Sequence, residues 1–577
     1  MRQSTSGILN ALAGWSPEGK TWFLDKPGMM RKYILISLCL VVGCDSPTVP
    51  NGVTSLTINP SPVNFDALGD TIQAAVSIGG ASDAVVKWSV SDLSVVKVLC
   101  WSGETCQFTS VANGTATLTV SSGSVTTTAP IEVSQLTASF ELSDTVLSFS
   151  ALGDEAQLTI APKDRMGYEM SGAEVVWATS DESVVAVSDS GSVTATGVGD
   201  ATITVTSGSL EATASVMVKL WTSVSVGQSH SCAITTSAEA YCWGSNQYDQ
   251  LGLGDSMSDS SEVHVPTLVS GEHSWESISS GDQHTCGVTT AGDSYCWGNA
   301  GYSRIGDGTS GATRAIPTLV IGGHSWGSMS GGRRHTCGVT RYTEAGCWGD
   351  NYYRQLGDST RSTRSSPRLV SGGHSWQSIS AGYDHSCGVT TSSRAYCWGN
   401  GQASKLGYGD NESRIAPTLV RNGFVWQSIS TGRYHTCGIV ANNDAYCWGY
   451  NGNGRLGDGT YNSTVAEPRA KVVDIMDGWQ SISAAVSHTC AVSVIGEGYC
   501  WGSGGSGRLG NGTSGTRRRP TLINGLHEWQ TISSKWYHNC GVTTDGAIYC
   551  WGSGGSGQLG DGQGSTNYLP VRVLVAW

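Results

Sequence analysis

Basic residues are scarce in this chain. Its 577 residues include 33 lysines and arginines against 46 aspartates and glutamates, which gives a formal net charge of −13. No stretch combines a basic stripe with interleaved aromatic side chains, so we expect no nucleic-acid partner. Charged residues make up only 14% of the chain, whereas glycine is abundant with 77 residues. This composition is typical of a turn-rich, all-β protein rather than of a helical or disordered chain.

The chain also lacks an apolar run long enough to cross a bilayer. Arg31-Lys32 precedes a mostly apolar stretch at 33–42, far shorter than the roughly 20 residues that a spanning helix needs. A basic start followed by a short apolar run predicts an export signal, here over residues 29–43. Translation is then expected to start at Met29 or Met30, and residues 1–28 to be an upstream extension that is not translated.

The export signal ends in Val41-Val42-Gly43-Cys44, which resembles the lipobox of bacterial lipoproteins. The resemblance implies that Cys44 is acylated, begins the mature chain and anchors it in a bacterial membrane. The alternative is an ordinary cleaved signal peptide without lipid. Residues 44–51 are polar and contain proline, which favours a short tether. We therefore expect an exported protein that contacts the membrane only through its lipid.

Residues 52–134 and 135–219 repeat one pattern. Ala67-Leu68-Gly69-Asp70 returns at 151–154, and Trp88-Ser89-Val90-Ser91-Asp92 returns at 177–181 as Trp-Ala-Thr-Ser-Asp. Alternating Val/Thr-rich runs between glycine turns predict two small β-sandwiches. The pattern resembles the group 2 bacterial immunoglobulin-like domains of surface proteins. That resemblance implies a stalk next to the anchor, with ligand binding as the alternative.

Residues 220–577 contain seven copies of another unit. Tryptophans mark the copies at intervals of about fifty residues, the range of propeller blades, at positions 221, 275, 326, 376, 426, 479, 529 and 577. Most copies read Trp-x-Ser-hydrophobic-Ser-x-Gly, His-x-Cys, Cys-Trp-Gly and Leu-Gly, and repeat six departs with Ala484-Ala485. The motif resembles the regulator of chromosome condensation repeat family, which implies a seven-bladed β-propeller. Small residues suit its inner strands, and the tryptophans are expected to fill the space between blades.

Eighteen cysteines indicate an oxidising compartment. Seven pairs share one separation, which places the two sulfurs of each pair opposite each other on a hairpin and predicts seven cross-strand disulfides. The pairs are Cys232 with Cys242, Cys286 with Cys296, Cys337 with Cys347, Cys387 with Cys397, Cys437 with Cys447, Cys490 with Cys500, and Cys540 with Cys550. Cys100 and Cys106 lie in an insertion of the first sandwich and predict a local loop disulfide. Metal binding by His-x-Cys is the weaker alternative, and we expect neither metal nor cofactor.

The framework histidine occurs in every repeat, so we expect it to make a buried hydrogen bond in each blade rather than to catalyse a reaction. Its seven copies are at 230, 284, 335, 385, 435, 488 and 538. The Gly-Asp-Gly segments near Asp307, Asp458 and Asp561 lack the dense acidic spacing of a calcium loop and are expected to be turns.

The two residues before each framework histidine vary between repeats, and variable positions on a repeat scaffold are where a partner can be recognised. Arginine and aromatic residues, which are enriched in interface hot spots, are frequent there. The candidate binding face is Arg333, Arg334, Tyr383, Asp384, Arg433, Tyr434, Trp536 and Tyr537. A second ring follows Trp-Gly, with Tyr248, Tyr302, Tyr352, Tyr353 and Tyr450. The alternative is that these residues are solvated loop tips.

These patterns favour a binding module over an enzyme, since no acid–base pair, nucleophile elbow or metal cluster stands out from the repeats. The leading hypothesis is that the propeller binds an extracytoplasmic protein through one face. The second is adhesion to a glycan or a neighbouring cell, because sugars stack on exposed aromatic rings. A propeller hydrolase or lyase is the third hypothesis. Exchange activity on a small GTPase, known in the family, is not expected of an exported chain. We expect a monomer.

Overall fold

The computed structural model describes residues 52–80, 83–254, 261–461, 464–472 and 478–575. The expected signal, the tether with Cys44 and the last marker, Trp577, lie outside the described residues. Within them the chain is all-β, as predicted, with two sandwich units followed by seven four-stranded sheets. No helix in this part of the chain has the length and apolar character needed to cross a membrane.

The first sandwich packs two four-stranded sheets, ordered β1-β3-β6-β5 and β2-β8-β7-β4. Alternate residues of its strands, such as Leu118 and Val120, are fully buried with Phe108 between the sheets. This alternation is what a period-two strand with one solvated face requires. The strands are β1 (Ser55–Asn59), β2 (Val63–Phe65), β3 (Thr71–Gly79), β4 (Lys87–Val90), β5 (Val96–Ser102), β6 (Thr105–Ser110), β7 (Gly114–Ser122) and β8 (Val125–Val133).

The second sandwich has a four-stranded sheet, β11-β14-β15-β9, and a three-stranded sheet, β10-β13-β12. Ile203, Val205 and Val216 form its core together with Leu158 of the loop after β10. The strands are β9 (Val146–Phe149), β10 (Glu155–Gln157), β11 (Val176–Thr179), β12 (Val185–Val187), β13 (Ser192–Ala195), β14 (Gly199–Ser207) and β15 (Leu210–Val218). In each sandwich one edge strand runs parallel to the neighbour with which it pairs.

Polar contacts join each unit to the next. The buried Asp164 carboxylate of the second sandwich accepts a hydrogen bond from Leu68 N of the first sandwich (2.8 Å) and another from Gln135 Nε2 (2.9 Å), at the start of its own unit. At the other end, Arg572 of the propeller pairs with Asp154 at 2.5 Å. Each unit is therefore held against its neighbour by more than the connecting chain.

The seven remaining sheets are the blades of a propeller, and each blade consists of four consecutive antiparallel strands. The strands of blades 1 to 4 are β16 (Trp221–Val226), β17 (His230–Thr235), β18 (Ala240–Ser245) and β19 (Glu262–Leu268); β20 (Trp275–Ser280), β21 (His284–Thr289), β22 (Ser294–Gly298) and β23 (Arg314–Leu319); β24 (Trp326–Gly331), β25 (His335–Thr340), β26 (Ala345–Gly349) and β27 (Arg364–Leu369); β28 (Trp376–Ala381), β29 (His385–Thr390), β30 (Ala395–Gly399) and β31 (Arg414–Leu419).

Blades 5 to 7 follow the same order. Their strands are β32 (Trp426–Thr431), β33 (His435–Val440), β34 (Ala445–Tyr450) and β35 (Thr464–Lys471); β36 (Trp479–Ala484), β37 (His488–Ser493), β38 (Gly498–Gly502) and β39 (Arg517–Leu522); β40 (Trp529–Ser534), β41 (His538–Thr543), β42 (Ile548–Gly552) and β43 (Asn567–Arg572). Short 3-10 turns lie at Gly301–Ser303, Gln402–Ser404, Gly452–Gly454 and Gly505–Gly507.

The first strand of each blade is the innermost and contacts the first strands of both neighbouring blades. Small residues are required there: a Cβ added to Gly331 of β24 would lie 2.8 Å from the backbone nitrogen of Gly281 in the preceding blade. The tryptophans fill the space between blades, as predicted. Trp275 and Trp297, for example, are buried with the Cys232 and Cys242 pair of the preceding blade.

The ring closes without exchange of strands, a point that the sequence left open. Blade 1 is built only from β16–β19 and blade 7 only from β40–β43, and β16 packs directly against β40 and β41. The side-chain hydrogen bonds that cross this seam include His538 Nε2 with Ser231 Oγ (2.9 Å) and Trp243 Nε1 to the carbonyl of Gln558 (3.0 Å). The seam thus uses the same contacts as the other joints between blades.

Each cysteine pair of the propeller occupies directly opposed positions on the second and third strands of its blade. All seven predicted pairs are bonded, with Cα–Cα distances of 4.0–4.1 Å, as Cys232 to Cys242, Cys286 to Cys296, Cys337 to Cys347, Cys387 to Cys397, Cys437 to Cys447, Cys490 to Cys500, and Cys540 to Cys550. Cys100 and Cys106 are bonded in the same way between β5 and β6. In blade 7 the intervening hairpin turns at Gly546, whose φ of +89° favours glycine.

Candidate functional site

The framework histidines lie in the joints between blades. Each histidine is fully buried, and its Nε2 lies within hydrogen-bond distance of a side chain that follows the framework histidine of the next blade. The sequence predicted a buried hydrogen bond but not that it would cross between blades. The pairs are His230–Thr285 (2.9 Å), His284–Thr336 (2.9 Å), His335–Ser386 (2.9 Å), His385–Thr436 (3.0 Å), His435–Thr489 (2.8 Å), His488–Asn539 (2.7 Å) and His538–Ser231 (2.9 Å).

The partners of these side chains determine the histidine tautomer. Thr436 donates its hydroxyl proton to the carbonyl of Lys405 (2.8 Å), which also accepts from Trp448 Nε1 (2.9 Å). The hydroxyl can therefore only accept from His385, so His385 carries its proton on Nε2. Burial also lowers the pKa of all seven histidines, to about 3 at positions 230, 335, 488 and 538. Neutral imidazoles that hold adjacent blades together are structural groups.

The acidic turns are also structural. The Asp307 carboxylate accepts from Thr309 N (3.0 Å) and pairs with Arg314 at 2.5 Å. The described residues contain no group of three or more His, Cys, Asp or Glu side chains arranged to hold a metal ion.

Most of the predicted binding face forms one cluster at the mouth of the central axis. The Arg333 guanidinium stacks on the Tyr383 ring (4.1 Å to the centroid), and Arg433 stacks on the same ring (4.3 Å). Tyr383 also lies 6.0 Å from Trp536, centroid to centroid. Tyr383 belongs to blade 4 and Trp536 to blade 7, so the cluster reaches across the axis.

The second ring of tyrosines partly joins this cluster. Arg334 stacks on Tyr302 at 4.2 Å, and the rings of Tyr434 and Tyr450 lie 6.4 Å apart. Tyr537 packs beside Trp536 at 5.7 Å. We call the set of Arg333, Arg334, Tyr383, Arg433, Tyr434, Trp536 and Tyr537 the axial face. Tyr352 and Tyr353 contact each other at 4.9 Å, and Tyr248 is half-buried.

Asp384 does not belong to the axial face, which corrects the sequence-based expectation. Its side chain turns inward, where it pairs with Lys405 Nζ at 2.5 Å and accepts from Asn400 Nδ2 at 2.7 Å. Only 9% of the residue is exposed. Lys405 lies beneath the surface one position before Leu-Gly, so its charge explains why an acid is buried at this variable position.

Lys535 is a functional candidate that sequence reasoning missed. It occupies the position that ends Trp-x-Ser-hydrophobic-Ser-x-Gly, where five repeats have glycine and repeat six has alanine. Its Nζ donates to the carbonyls of Ser280 (2.6 Å) and Gly331 (2.8 Å) in blades 2 and 3. Burial lowers the pKa of Lys535 to about 8, against the opposing effect of the nearby Asp282 carboxylate. A lysine from blade 7 thus closes the axis beneath Trp536, and the break in the repeat pattern was the signal that could have identified it.

A cavity of about 140 Å³ opens between the loops of blades 1, 2, 3 and 7. Arg304, Arg333, Arg334 and Trp536 line it together with Asp282, which is 5% exposed. Burial raises the pKa of Asp282, and Lys535, a contact with Trp536, Arg304 and Arg333 act in the opposite direction. The site offers cationic and aromatic groups for binding.

The sequence comparisons agree with this architecture. Two profiles of the regulator of chromosome condensation (RCC1) repeat together match more than half of the chain, over residues 237–288, 347–389, 392–439, 442–492, 496–542 and 545–575 for one and 221–250, 275–304, 376–404, 426–455 and 529–558 for the other. A bacterial Ig-like domain (group 2) profile matches residues 165–218, in the second sandwich.

Several known proteins resemble part of this chain. The ultraviolet-B receptor UVR8 of Arabidopsis thaliana is 33% identical over 138 residues, 23% of this chain and 30% of the receptor. The human E3 ubiquitin-protein ligase HERC2 is 31% identical over 135 residues, 22% of this chain and 3% of the ligase. The matches thus span less than a third of these relatives. The crystal structure of human WBSCR16 shares the fold, with a TM-score of 0.54 at 20% identity over 58% of this chain and 95% of that one. The chain belongs to the regulator of chromosome condensation (RCC1) repeat family.

Proposed function

We propose that this protein is an exported, lipid-anchored binding protein whose propeller recognises another protein through the axial face. The observation that carries the proposal is the cluster of Arg333, Tyr383, Arg433 and Trp536. These four residues come from four blades, so the framework places them together although they are far apart in sequence. All four are half-buried in the free protein. Arginine and aromatic anchors that become buried at the centre of an interface contribute most to protein–protein affinity.

The two sandwiches are placed to hold the axial face away from a membrane. The hydrogen bonds of Asp164 and the Arg572–Asp154 pair restrict rotation at the two junctions. We propose that the sandwiches form a stalk and that Cys44 carries the lipid. The eight disulfides within the described residues suit an extracytoplasmic location, where such bonds persist.

Glycan adhesion is less well supported by the same contacts. A sugar needs the face of an aromatic ring, but guanidinium groups already cover the rings of Tyr302, Tyr383 and Tyr434. Tyr352 and Tyr353, which are 74% and 39% exposed, are the best remaining platform for a sugar. Glycan-array binding that is lost in Tyr352→Ala would favour the adhesin.

The test is capture of extracytoplasmic proteins by the immobilised full chain, followed by affinity measurement with each captured protein after purification. The double variant Arg333→Ala and Arg433→Ala removes both stacked cations. The double variant Arg364→Ala and Arg414→Ala removes the same charge from the rim and is the matched control. We expect the face variant to weaken binding by about tenfold or more, since truncating a hot spot costs about 2 kcal/mol. Equal affinity of both variants, or no protein retained by the unmodified chain, would refute the proposal.

A further inference from the structure

The arginines of the axial face differ from several arginines elsewhere in the protein. In the described part of the chain, several arginines pair with carboxylates: Arg314–Asp307 (2.5 Å), Arg341–Glu276 (2.5 Å), Arg364–Asp358 (2.8 Å), Arg414–Asp410 (2.6 Å) and Arg572–Asp154 (2.5 Å). Arg333, Arg334 and Arg433 form no ion pair with any described residue, although acidic residues outnumber basic ones 46 to 33 over the whole chain. The cations of the axial face therefore have no carboxylate partner among the described residues.

The tyrosine rings contact these arginines without occupying the N–H donors of the guanidinium groups. Arg333 stacks on Tyr383 at 4.1 Å and Arg334 on Tyr302 at 4.2 Å. Neither guanidinium makes a hydrogen bond to a described residue, and the buried Nε of Arg433 has no partner there either. Stacking covers the plane of a guanidinium but leaves the N–H groups at its edge free. Two parallel N–H groups fit the two oxygens of a carboxylate.

Arg333 and Arg334 line the cavity described above, whereas Arg433 lies outside it. Three of its lining residues are arginines, and the single acid in its wall, Asp282, is buried next to Lys535. Arg304 is held by the structure itself, since it donates to the carbonyls of Gly301 (2.8 Å) and Arg333 (2.9 Å). Arg333 and Arg334 are consequently the groups available to an incoming anion.

We propose that this cavity receives the carboxylate of an aspartate or glutamate in an exposed acidic loop of the partner protein. The inference rests on the proposed function and adds the chemistry of the partner. Arg333 and Arg334 bind the carboxylate through their N–H edges, while Trp536 packs against the neighbouring backbone of the loop. An acidic polysaccharide is disfavoured because the rings that would stack on its sugars already carry guanidinium groups.

The probe is an acetylated, amidated hexaglutamate peptide, with hexaglutamine as its neutral match. Binding to the full chain would be measured by fluorescence anisotropy at low salt, because such contacts weaken as salt rises. We expect hexaglutamate to bind and hexaglutamine not to bind. Arg333→Gln with Arg334→Gln is expected to weaken hexaglutamate binding by about tenfold or more, and Arg334→Gln alone by about threefold. Arg364→Gln with Arg414→Gln removes the same charge and should change binding by less than about twofold.

Three outcomes would overturn the inference. One is equal loss of affinity in both double variants, which would show an effect of net charge only. Another is tighter binding of polygalacturonate or of inorganic phosphate than of the peptide in an Arg333-dependent manner. The third is no binding of hexaglutamate by a folded chain, with folding checked by near-ultraviolet circular dichroism for every variant. If a protein partner is still captured through the axial face but hexaglutamate does not compete with it, the proposed function stands and this inference fails.

Discussion

Acidification is expected to unfold the propeller through its framework histidines. Burial holds the pKa of His230, His335, His488 and His538 at about 3, against 6.5 for an ordinary histidine. As the pH falls through 6.5, the unfolded chain takes up protons that the folded chain cannot bind, so the free energy of unfolding decreases. This loss begins near pH 6.5 and continues until the folded-state pKa is reached.

The size of the effect follows from the two pKa values. Each of these four histidines lowers the free energy of unfolding by about 2 kcal/mol between pH 7 and pH 5. The four together lose roughly 8 kcal/mol, comparable with the whole stability of a typical domain. Burial lowers the pKa of the other three framework histidines as well, so they act in the same direction. Asp282 acts in the opposite direction because its pKa is raised, but it is one group against seven. As the pH is lowered, we therefore expect the propeller to unfold before the pH reaches about 4.5.

The assay is guanidinium unfolding at a series of pH values with the disulfides oxidised. His488→Gln keeps an N–H donor for Asn539 and removes one titrating ring, so it should reduce the loss between pH 7 and pH 5 by about 2 kcal/mol. The two sandwiches contain no histidine and serve as the internal control in the same chain. A total change below about 2 kcal/mol, or a framework histidine that titrates above about pH 5 in nuclear magnetic resonance spectra of the folded protein, would refute the reasoning.

Other predictions concern stability and the junction. Replacing Cys437 and Cys447 together by alanine should lower the free energy of unfolding by about 2–3 kcal/mol, because a short loop loses its closure; a change below about 0.5 kcal/mol in chemical denaturation would contradict this. Trp398→Phe should cost about 1–3 kcal/mol in the same assay, since it removes buried volume and a hydrogen bond, and an unchanged midpoint would contradict it. Asp154→Ala should speed tryptic cleavage after Lys219 without shifting the melting temperature of the propeller; unchanged cleavage would show that the Arg572 pair does not hold the junction.

The strands, hairpins and disulfides of each blade were predictable from the sequence because every blade repeats the same pattern. The spacing of Cys437 and Cys447 specified a hairpin, and the same spacing in the other six repeats left one geometry for all of them. The partner of each histidine could not be predicted in this way. Thr489 lies 54 positions after His435, and only the rotation from one blade to the next brings the two side chains to 2.8 Å. The repeat period therefore predicts the strands and residue pairs within one blade. The contacts between blades depend on how adjacent blades are oriented, which the period does not specify.

The sequence predicted the residues of the candidate site at most positions that vary between repeats. The prediction failed where the residue at such a position stabilises the fold instead of facing solvent. Asp384 shares its position with Arg334 and Tyr434, but the adjacent Lys405 makes it a buried counter-ion. Lys535 is the reverse case, a framework position at which one blade carries a cation. Both exceptions depend on charges contributed by other strands or blades, and a sequence pattern read one repeat at a time contains no information about such contacts.

Asn539 shows what the joint between blades requires. Six blades have serine or threonine after the framework histidine, and blade 7 has asparagine. Its Oδ1 accepts from His488 Nε2 (2.7 Å) while its Nδ2 donates to the carbonyl of Arg508 (2.7 Å). A hydroxyl performs the same two roles with one atom, and asparagine divides them between two. What the fold preserves is therefore the direction of the hydrogen bonds, which fixes the histidine proton on Nε2. Burial, against the opposing effect of the Asn539 contact on His488, keeps the imidazoles neutral and makes the ring vulnerable to acid.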